Sequence, residues 1–328
     1  MIDFCVLGSG VSGSTIANLL DKKYDVLIID KAQGIGGRAS NKTYKSNISF
    51  DHGLQYLSSK EKNFNKLINQ LHKNKILKIW EGPHLDLSFK NTKKKKFIGR
   101  NTNNDLNKFF LKKIKKIFNC EIKSINYNGK YWILYNKKRT IQAKNLIITF
   151  PYDQVITLAK KYLSKKILNL KVKMQPNITL MVTEKNKNKI PFSSLKLENS
   201  IISWIANENS KKRFKYHENL WTIQTNKKFS DKIINSYKKN RIKFSNIILK
   251  EFSKLLGIKY KSLKIFRIHG WKYSYNNYST NVNSYWNNKY KLGVCGDWFL
   301  GPKAEHAWIS ANKLFNKIKK NPPKVRRV

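Results

Sequence analysis

The chain opens with a pattern of apolar and polar positions that is typical of a βαβ unit. An apolar run, Ile2–Leu7, ends at Gly8, and apolar residues then recur at helical spacing over residues 11–20. Residues 25–30 form a second apolar run rich in β-branched residues. A strand, a helix and a second strand in this order predict two parallel strands joined by a crossover helix.

The remainder of the chain alternates segments with helical and strand periodicity. Asn128-Gly129 lies between two strand-like runs and predicts a hairpin, and Gly257 is expected to end a long helical region. The run of lysines at residues 93–96 is expected to be a solvated loop. Helices are predicted over residues 64–71, 106–117, 230–256 and 304–318, and strands over residues 121–127, 131–135, 145–150, 178–182, 201–206, 220–225 and 291–295.

The composition is strongly basic. The 328 residues contain 67 Lys and Arg against 19 Asp and Glu, a formal net charge of +48. Such an excess indicates attraction to nucleic acid or to an anionic membrane surface, or else a background composition rich in Lys, Asn and Ile. Hydrophobic residues make up 40% of the chain, which is enough for a core and excludes a disordered polybasic tail protein. The length favours two lobes over one.

Cysteine usage and hydropathy bear on the compartment. Cys5, Cys120 and Cys295 are odd in number and far apart, so they predict neither a disulfide framework nor a zinc site, and no metal is expected. The apolar start is interrupted by glycine and serine, unlike a signal peptide, and no run of 18 apolar residues occurs. We therefore expect a soluble cytoplasmic protein without membrane insertion.

The first candidate site lies where the first strand meets the first helix. Gly8, Gly10 and Gly13 form a G-x-G-x-x-G pattern, which permits a tight turn, close approach of a pyrophosphate and close packing of helix on strand. Asp30 ends the second strand, where a carboxylate can accept hydrogen bonds from ribose hydroxyls. Together these residues predict a dinucleotide site at the helix N-terminus.

Further motifs extend this pattern along the chain. D-K-x-x-G-x-G-G-R spans residues 30–38 and F-D-H-G-x-Q-Y spans residues 50–56. S-W-I-A-N follows at residues 203–207, H-x-W-x-Y at residues 269–273 and Gly-Asp at residues 296–297. With these motifs the chain resembles, over nearly its whole length, the renalase-like branch of the FAD-dependent amine oxidoreductases.

The resemblance implies an α/β fold of the two-lobe flavoprotein kind. A discontinuous Rossmann-like FAD-binding domain would comprise residues 1–56, 98–150 and 288–320. A mixed-sheet substrate domain would be inserted as residues 57–97 and 151–287, and residues 321–328 would form a basic tail. The FAD is expected to be held noncovalently, because no cysteine lies in a flavin-linkage motif.

The resemblance also implies which residues hold the cofactor. The glycine loop would face the pyrophosphate, Asp30 the adenosine ribose, Arg38 the flavin half and Asp297 the ribityl or phosphate oxygens. The helix that begins near Glu305 would direct its positive end at the flavin. The expected cofactor-binding residues are Gly8, Gly10, Val11, Ser12, Gly13, Asp30, Lys31, Gly37, Arg38, Gly53, Leu54, Gln55, Ile122, Gly296, Asp297 and Trp298.

The substrate side is less well defined. His269, Trp271 and Tyr273 alternate along a predicted strand and would share one face, either as a pocket wall or as core packing. Gln224 stands where a histidine would be expected by resemblance, and His306 where a small residue would be expected. The catalytic residue is unknown, with His269, Trp271, Tyr273 and Gln224 as candidates.

Three other aromatic positions carry weaker expectations. His52 is either a proton carrier or a residue that holds its loop. Trp204 and Trp221 are expected in the core.

The function implied is hydride transfer from a small-molecule donor to flavin, with oxygen as acceptor and hydrogen peroxide as product. The donor would be an amine or a nonstandard reduced nicotinamide dinucleotide, and the basic surface favours the anionic dinucleotide. Two alternatives stay open: a flavoprotein dehydrogenase or desaturase with another acceptor, and a basic protein that binds nucleic acid or anionic lipid on a dinucleotide fold. No sequence-specific nucleic-acid partner is expected.

Overall fold

A computed structural model of the chain describes residues 1–92, 94–185, 191–320 and 322. The strands are β1 (Ile2–Leu7), β2 (Val26–Ile29), β3 (Lys42–Lys45), β4 (Ile48–Phe50), β5 (Leu77–Ile79), β6 (His84–Leu85), β7 (Phe97–Gly99), β8 (Lys115–Ile117), β9 (Ser124–Tyr127), β10 (Trp132–Tyr135), β11 (Thr140–Ile148), β12 (Gln175–Glu184), β13 (Ser194–Lys196), β14 (Ile202–Asn207), β15 (Asn219–Thr225), β16 (Leu263–Tyr275), β17 (Tyr285–Asn287) and β18 (Leu292–Val294). The α-helices are α1 (Val11–Leu20), α2 (Lys62–Lys73), α3 (Asp105–Phe110), α4 (Tyr152–Ala159), α5 (Lys165–Leu168), α6 (Lys227–Ile233), α7 (Arg241–Leu256) and α8 (Ala304–Lys320).

The first sheet has eight strands in the order β17-β18-β11-β1-β2-β8, with the β9–β10 hairpin attached to β11. β1 is parallel to both β2 and β11, which confirms the predicted βαβ unit. Phe4 and Val6 pack with α1 and α8 on one face, whereas Cys5 and Leu7 pack with α4 and α5 on the other. The central strands are therefore buried on both faces, as expected for parallel strands with helices on each side.

The second sheet has six strands in the order β16-β12-β15-β14-β13-β6. Its pairs are antiparallel except for β13 and β6, which are parallel, so the sheet is mixed. α6 and α7 cover one of its faces with apolar side chains. The fold is thus α/β, with a Rossmann-like sheet and a second mixed sheet inserted into it, as the sequence predicted.

Three segments of the predicted substrate domain pack with the first sheet. α4 and α5 lie in the core of the first sheet, and β17 pairs with β18 at its edge. These segments fall within residues 151–287 of the predicted substrate domain. The exact domain bounds stay a prediction.

Two predicted helices differ from the structure. α3 ends at Phe110, and Lys115–Ile117 instead pair as strand β8 with β2. The predicted helix over residues 230–256 is divided into α6 and α7, and the left-handed Gly257 ends the second of them as expected. The hairpin is confirmed, but its turn centres on Gly129-Lys130, because the amide of Asn128 donates to the carbonyl of Tyr131.

The lysine run at residues 93–96 is only partly described, since Lys93 lies outside the described residues. Lys96 is buried and not solvated: its ammonium donates to Thr92 Oγ1 at 2.6 Å and lies over the Tyr56 ring. Burial lowers the pKa of Lys96 to about 8. The predicted basic tail lies outside the described residues except for Pro322. None of the helices within the described ranges combines the length and the apolar character needed to cross a bilayer.

Candidate functional site

A cavity of about 540 Å³ lies between the two sheets. Gly10 follows β1, Thr149 follows β11 and Gly296 follows β18, and all three line this cavity. The opposite wall comes from the second sheet and includes Gln224 and Trp271. The cavity therefore lies beyond the carboxyl ends of parallel strands, where sheets of this kind bind ligands.

The glycine loop forms one end of the cavity. Gly8 has a φ of +104°, and a Cβ added to Gly13 would lie 1.8 Å from the Gly8 carbonyl oxygen. Glycine is thus required at both positions, for turn geometry and for close packing. Gly10, Val11 and Ser12 line the cavity, and the amides of Val11 and Ser12 have no acceptor among the described residues. These amides are the free donors of a helix N-terminus and suit an anion.

Asp30 accepts hydrogen bonds from the glycine loop and does not line the cavity. Its Oδ2 accepts from the amide of Ser9 at 2.7 Å and from Ser9 Oγ at 2.6 Å, and its Oδ1 accepts from the amide of Ala32. Lys31 is exposed beside it, and Ile122 is buried in the segment that runs alongside. The ribose role expected for Asp30 stays a prediction.

Arg38 and Asp297 form a bidentate ion pair at the cavity surface. The two guanidinium nitrogens donate to the two carboxylate oxygens at 2.8 and 2.6 Å. Arg38 also donates to the carbonyl of Ser274 at 2.6 Å. The pair joins the segment after the second strand to the C-terminal Gly-Asp motif, which lies 259 residues away in sequence. This geometry fixes the guanidinium plane.

The segment around Gly53 connects the two sheets. The carbonyl of His52 accepts from Thr179 Oγ1 and from the Trp271 indole, both at 2.9 Å. The carbonyl of Gly53 accepts from the Gln224 amide at 2.8 Å. A Cβ on Gly53 would lie 2.1 Å from the Arg38 carbonyl oxygen, so only glycine fits there. Gln224, a candidate catalytic residue, thus positions the loop that contains Leu54 and Gln55.

The structure brings some expected substrate-side residues to the cavity and not others. Trp271 lines it, whereas His269 lies behind, with ring centroids 4.4 Å apart. Tyr273 does not line it, because the five residues from Trp271 to Tyr275 on β16 oppose only the three residues from Gln175 to Asn177 on β12. This bulge interrupts the alternation on which the expected shared face depended.

Several expected residues lie outside the cavity. Trp298 is fully buried, and its indole donates to the carbonyl of Phe150 at 3.0 Å. His306 packs against Gly301 in the turn before α8. The Glu305 carboxylate accepts from the amides of Lys60 and Glu61, both at 2.6 Å. Of the expected cofactor residues, Gly8, Gly13, Asp30, Lys31, Gly37, Ile122 and Trp298 are outside the lining, and Gly10, Val11, Ser12, Arg38, Gly53, Leu54, Gln55, Gly296 and Asp297 form part of it.

Sequence reasoning missed part of the lining. Trp221 is in the core as expected, but Trp204 was also expected there and instead lines the cavity. The motif at residues 203–207 could have indicated this position, because its residues Ser203 and Trp204 both line the cavity from β14 of the second sheet. Other lining residues without a prior expectation include Asn177, Lys196, Ser274, Tyr275, Asn277 and Lys303.

A buried charge cluster begins next to the Gly53 segment, at Asp51, and also contains Glu208, Lys211 and Arg213. Asp51 Oδ2 accepts from Lys211 Nζ at 2.8 Å and from Arg213 Nη1 at 2.5 Å. Lys211 also pairs with Glu208 at 2.8 Å. Burial opposes ionisation of Asp51, but Arg213 and Lys211 outweigh it and lower its pKa. Burial raises the pKa of Glu208, although Lys211 opposes this rise.

Two histidines, the buried His52 and the half-buried His269, meet beside this cluster. His52 and His269 are in edge contact, with ring centroids 4.8 Å apart. Burial and the neighbouring His269 lower the pKa of His52 to about 3, and burial with Lys42 and Arg267 lowers that of His269 to about 4. Both imidazoles are therefore neutral at physiological pH. The backbone carbonyl of His52 connects its loop to the second sheet. The two alternatives for its side chain, a proton carrier or a residue that holds its loop, stay predictions.

The residues present fit a dinucleotide cofactor. The free amides after β1 can hold a pyrophosphate, and the Arg38–Asp297 pair offers fixed polar groups next to it. Ala304 and Ala307 in the first turn of α8 line the same cavity, so the positive end of that helix is directed at it. These elements belong to three separate parts of the chain and converge on one cavity.

Comparison with known proteins agrees with this architecture. Residues 6–71 match the NAD(P)-binding Rossmann-like domain. An uncharacterised protein of Methanocaldococcus jannaschii is 28% identical over 182 residues, which cover 45% of this chain and 48% of that protein. The match thus spans about half the length of this curated relative.

Two solved structures resemble the whole chain. A triple mutant of putrescine oxidase has a TM-score of 0.72 at 10% identity and covers 98% of this chain and 99% of its own. Cyclohexylamine oxidase from Brevibacterium oxydans has a TM-score of 0.70 at 10% identity, with the same coverage. The class defined by fold and site is therefore a two-lobe protein with the architecture of these oxidases.

Proposed function

We propose that the chain is an FAD-dependent oxidoreductase of the renalase-like type, which takes hydride from a reduced small-molecule donor. The observation that supports this most strongly is the convergence of the glycine loop, the Arg38–Asp297 pair and the first turn of α8 on one cavity. A bound flavin would supply the two-electron acceptor for the donor's hydride, with oxygen as the final acceptor and hydrogen peroxide as the product.

The protein contributes binding, orientation and electrostatics. The amides of Val11 and Ser12 would hold the pyrophosphate, and Arg38 with Asp297 would fix the position of the flavin half. The positive end of α8 would favour negative charge on the bound ring system. Trp271 and Trp204 on the second sheet would shield the reaction from water. The donor would be a nonstandard reduced nicotinamide dinucleotide or an amine, held against this wall.

The cofactor is tested by the absorbance spectrum of the purified protein. We expect a yellow protein with about one equivalent of FAD that denaturation releases, because the cofactor is held noncovalently. Arg38→Ala removes both the bidentate pair and the bond to Ser274, so FAD retention on a desalting column should fall. Arg139→Ala, which removes an exposed arginine on the β10–β11 connection, is the matched control. A protein that is colourless and takes up no added FAD contradicts the proposal.

The acceptor is tested by anaerobic reduction followed by admission of air. A panel of reduced nicotinamide isomers and amines should include a donor that bleaches the flavin absorbance. Rapid recovery of the absorbance in air, with peroxide formed, is expected of an oxidase. Slow recovery would instead identify a dehydrogenase or desaturase with another acceptor.

A further inference from the structure

One row of side chains crosses five strands of the second sheet. Lys196 on β13 is the register partner of Trp204 on β14, which pairs in turn with Gln224 on β15. Gln224 pairs with Thr179 on β12, and Thr179 pairs with His269 on β16. Directly paired residues lie on the same face of a sheet. The row therefore places one lysine at the end of the wall that faces the cavity, next to a tryptophan.

The charges that line the cavity are unbalanced. Among the described lining residues, the charged side chains are Arg38, Lys196, Lys303 and Asp297. Asp297 is the one carboxylate of this set, and both its oxygens are engaged by Arg38. Lys196 and Lys303 have no ion-pair partner within the described part of the chain. A ligand in the cavity thus meets two unneutralised ammonium groups.

The surroundings of Lys196 suit a flat ring that has an anionic substituent. Trp204 lies beside it, and the Tyr56 ring approaches Trp204 with a centroid distance of 5.7 Å. The indole N–H of Trp204 has no acceptor among the described residues. Aromatic faces accept a planar ring, while an ammonium group selects a carboxylate or phosphate. An amine donor, which is a cation at neutral pH, would find no free carboxylate there.

We propose that Lys196 is a specificity-determining residue that selects donors bearing a carboxylate or phosphate group over cationic amines. The inference rests on the proposed function, because it concerns the donor side of the same cavity. Lys196 stays exposed at the mouth, where its side chain can reach an anionic group while the reacting ring lies deeper. Lys303, on the opposite side before α8, adds positive potential without belonging to this row.

The test uses two donors that differ by one phosphate, reduced nicotinamide riboside and reduced nicotinamide mononucleotide. Both are used as the reduced isomer that bleaches the flavin absorbance in the donor panel. For the native protein we expect the KM of the mononucleotide to be roughly twofold to fivefold lower, the effect of one exposed charge-assisted contact. Lys196→Gln should bring the ratio of the two KM values close to one. Lys196→Arg should retain the ratio, because the positive charge is kept.

A charge-matched control separates Lys196 from the general basicity of the chain. Lys264→Gln removes an exposed lysine from β16 of the same sheet and should leave the ratio as in the native protein. An unchanged ratio in Lys196→Gln, or an equal loss in Lys264→Gln, overturns the inference.

A binding measurement tests the role of Lys196 without turnover, so its outcome does not depend on the proposed reaction. Oxidised nicotinamide mononucleotide and riboside should quench tryptophan fluorescence with the same phosphate preference, and Lys196→Gln should remove it. If no donor bleaches the flavin while this preference is present and depends on Lys196, the proposed function fails and the anion site stands. If donors bleach the flavin but neither readout depends on Lys196, the inference fails alone.

Discussion

Replacing Asp51 by asparagine tests how far the charge cluster stabilises the protein. The Asp51 side chain is fully buried and accepts from Lys211 Nζ at 2.8 Å, Arg213 Nη1 at 2.5 Å and the amide of Asn103 at 3.2 Å. The substitution keeps the size of the side chain but leaves two buried cations with one carboxylate, Glu208. Removing one partner of a buried ion pair in this way costs about 3–5 kcal/mol.

The assay is urea unfolding at pH 7, with Asp231→Asn as a matched control. Asp231 pairs with Lys227 at 2.5 Å on the surface of α6, where both side chains are nearly half exposed. Loss of such a pair costs less than about 1 kcal/mol. Adding Arg213→Gln to Asp51→Asn removes the stranded cation, and the double variant should lose about 0.5–3 kcal/mol less than the sum of the single losses.

The stabilising role of the Asp51 carboxylate is contradicted if Asp51→Asn destabilises the protein no more than Asp231→Asn does. It is also contradicted if the double variant loses the full sum of the two single losses. Either result would mean that the charges in the cluster are not energetically coupled.

Two further predictions concern the glycine loop and His269. Gly13→Ala places a Cβ 1.8 Å from the Gly8 carbonyl oxygen and should lower the melting temperature sharply. Gly34→Ala is the control, because nothing lies within 4 Å of its added Cβ, and it should change the melting temperature little. Equal melting temperatures of the two variants would contradict the close packing inferred for Gly13. The pKa of His269, about 4, is below the ordinary 6.5, so its contribution to stability is complete above about pH 6.5 and is lost as the pH falls towards 4. As the pH falls from 6 to 4.5, the free energy of unfolding of His269→Gln should therefore decrease by about 1 kcal/mol less per pH unit than that of the native protein, as measured by urea unfolding. An unchanged pH slope would show that His269 does not titrate as inferred.

The glycine-loop end of the cavity could be predicted because its signals are local in sequence. A glycine spacing after a strand requires only neighbouring residues, and β1, α1 and β2 follow one another as the pattern indicated. The predicted helix over residues 106–117 is present as α3 up to Phe110, but its last turn was wrong, because residues 115–117 pair with β2 and this tertiary pairing overrides a helical spacing of apolar residues.

The wall of the cavity formed by the second sheet could not be predicted in the same way. Lys196, Trp204 and Gln224 come from three strands, and only the register of the sheet makes them neighbours. The partners of Asp51 are likewise 160 and 162 residues away in sequence. A motif can indicate that Asp51 matters, but the cations that neutralise it depend on how distant segments pack.

The connections made by the segment around Gly53 limit how the two lobes can move. Thr179, Trp271 and Gln224 of one sheet donate to the carbonyls of His52 and Gly53, and the amide of Leu54 donates to the carbonyl of Arg38. A hinge rotation that separated the sheets would break several of these bonds, each contributing about 1 kcal/mol. Entry of a donor should then depend on rotamer changes of exposed side chains at the mouth, such as Lys196, which take place within nanoseconds and do not require domain opening.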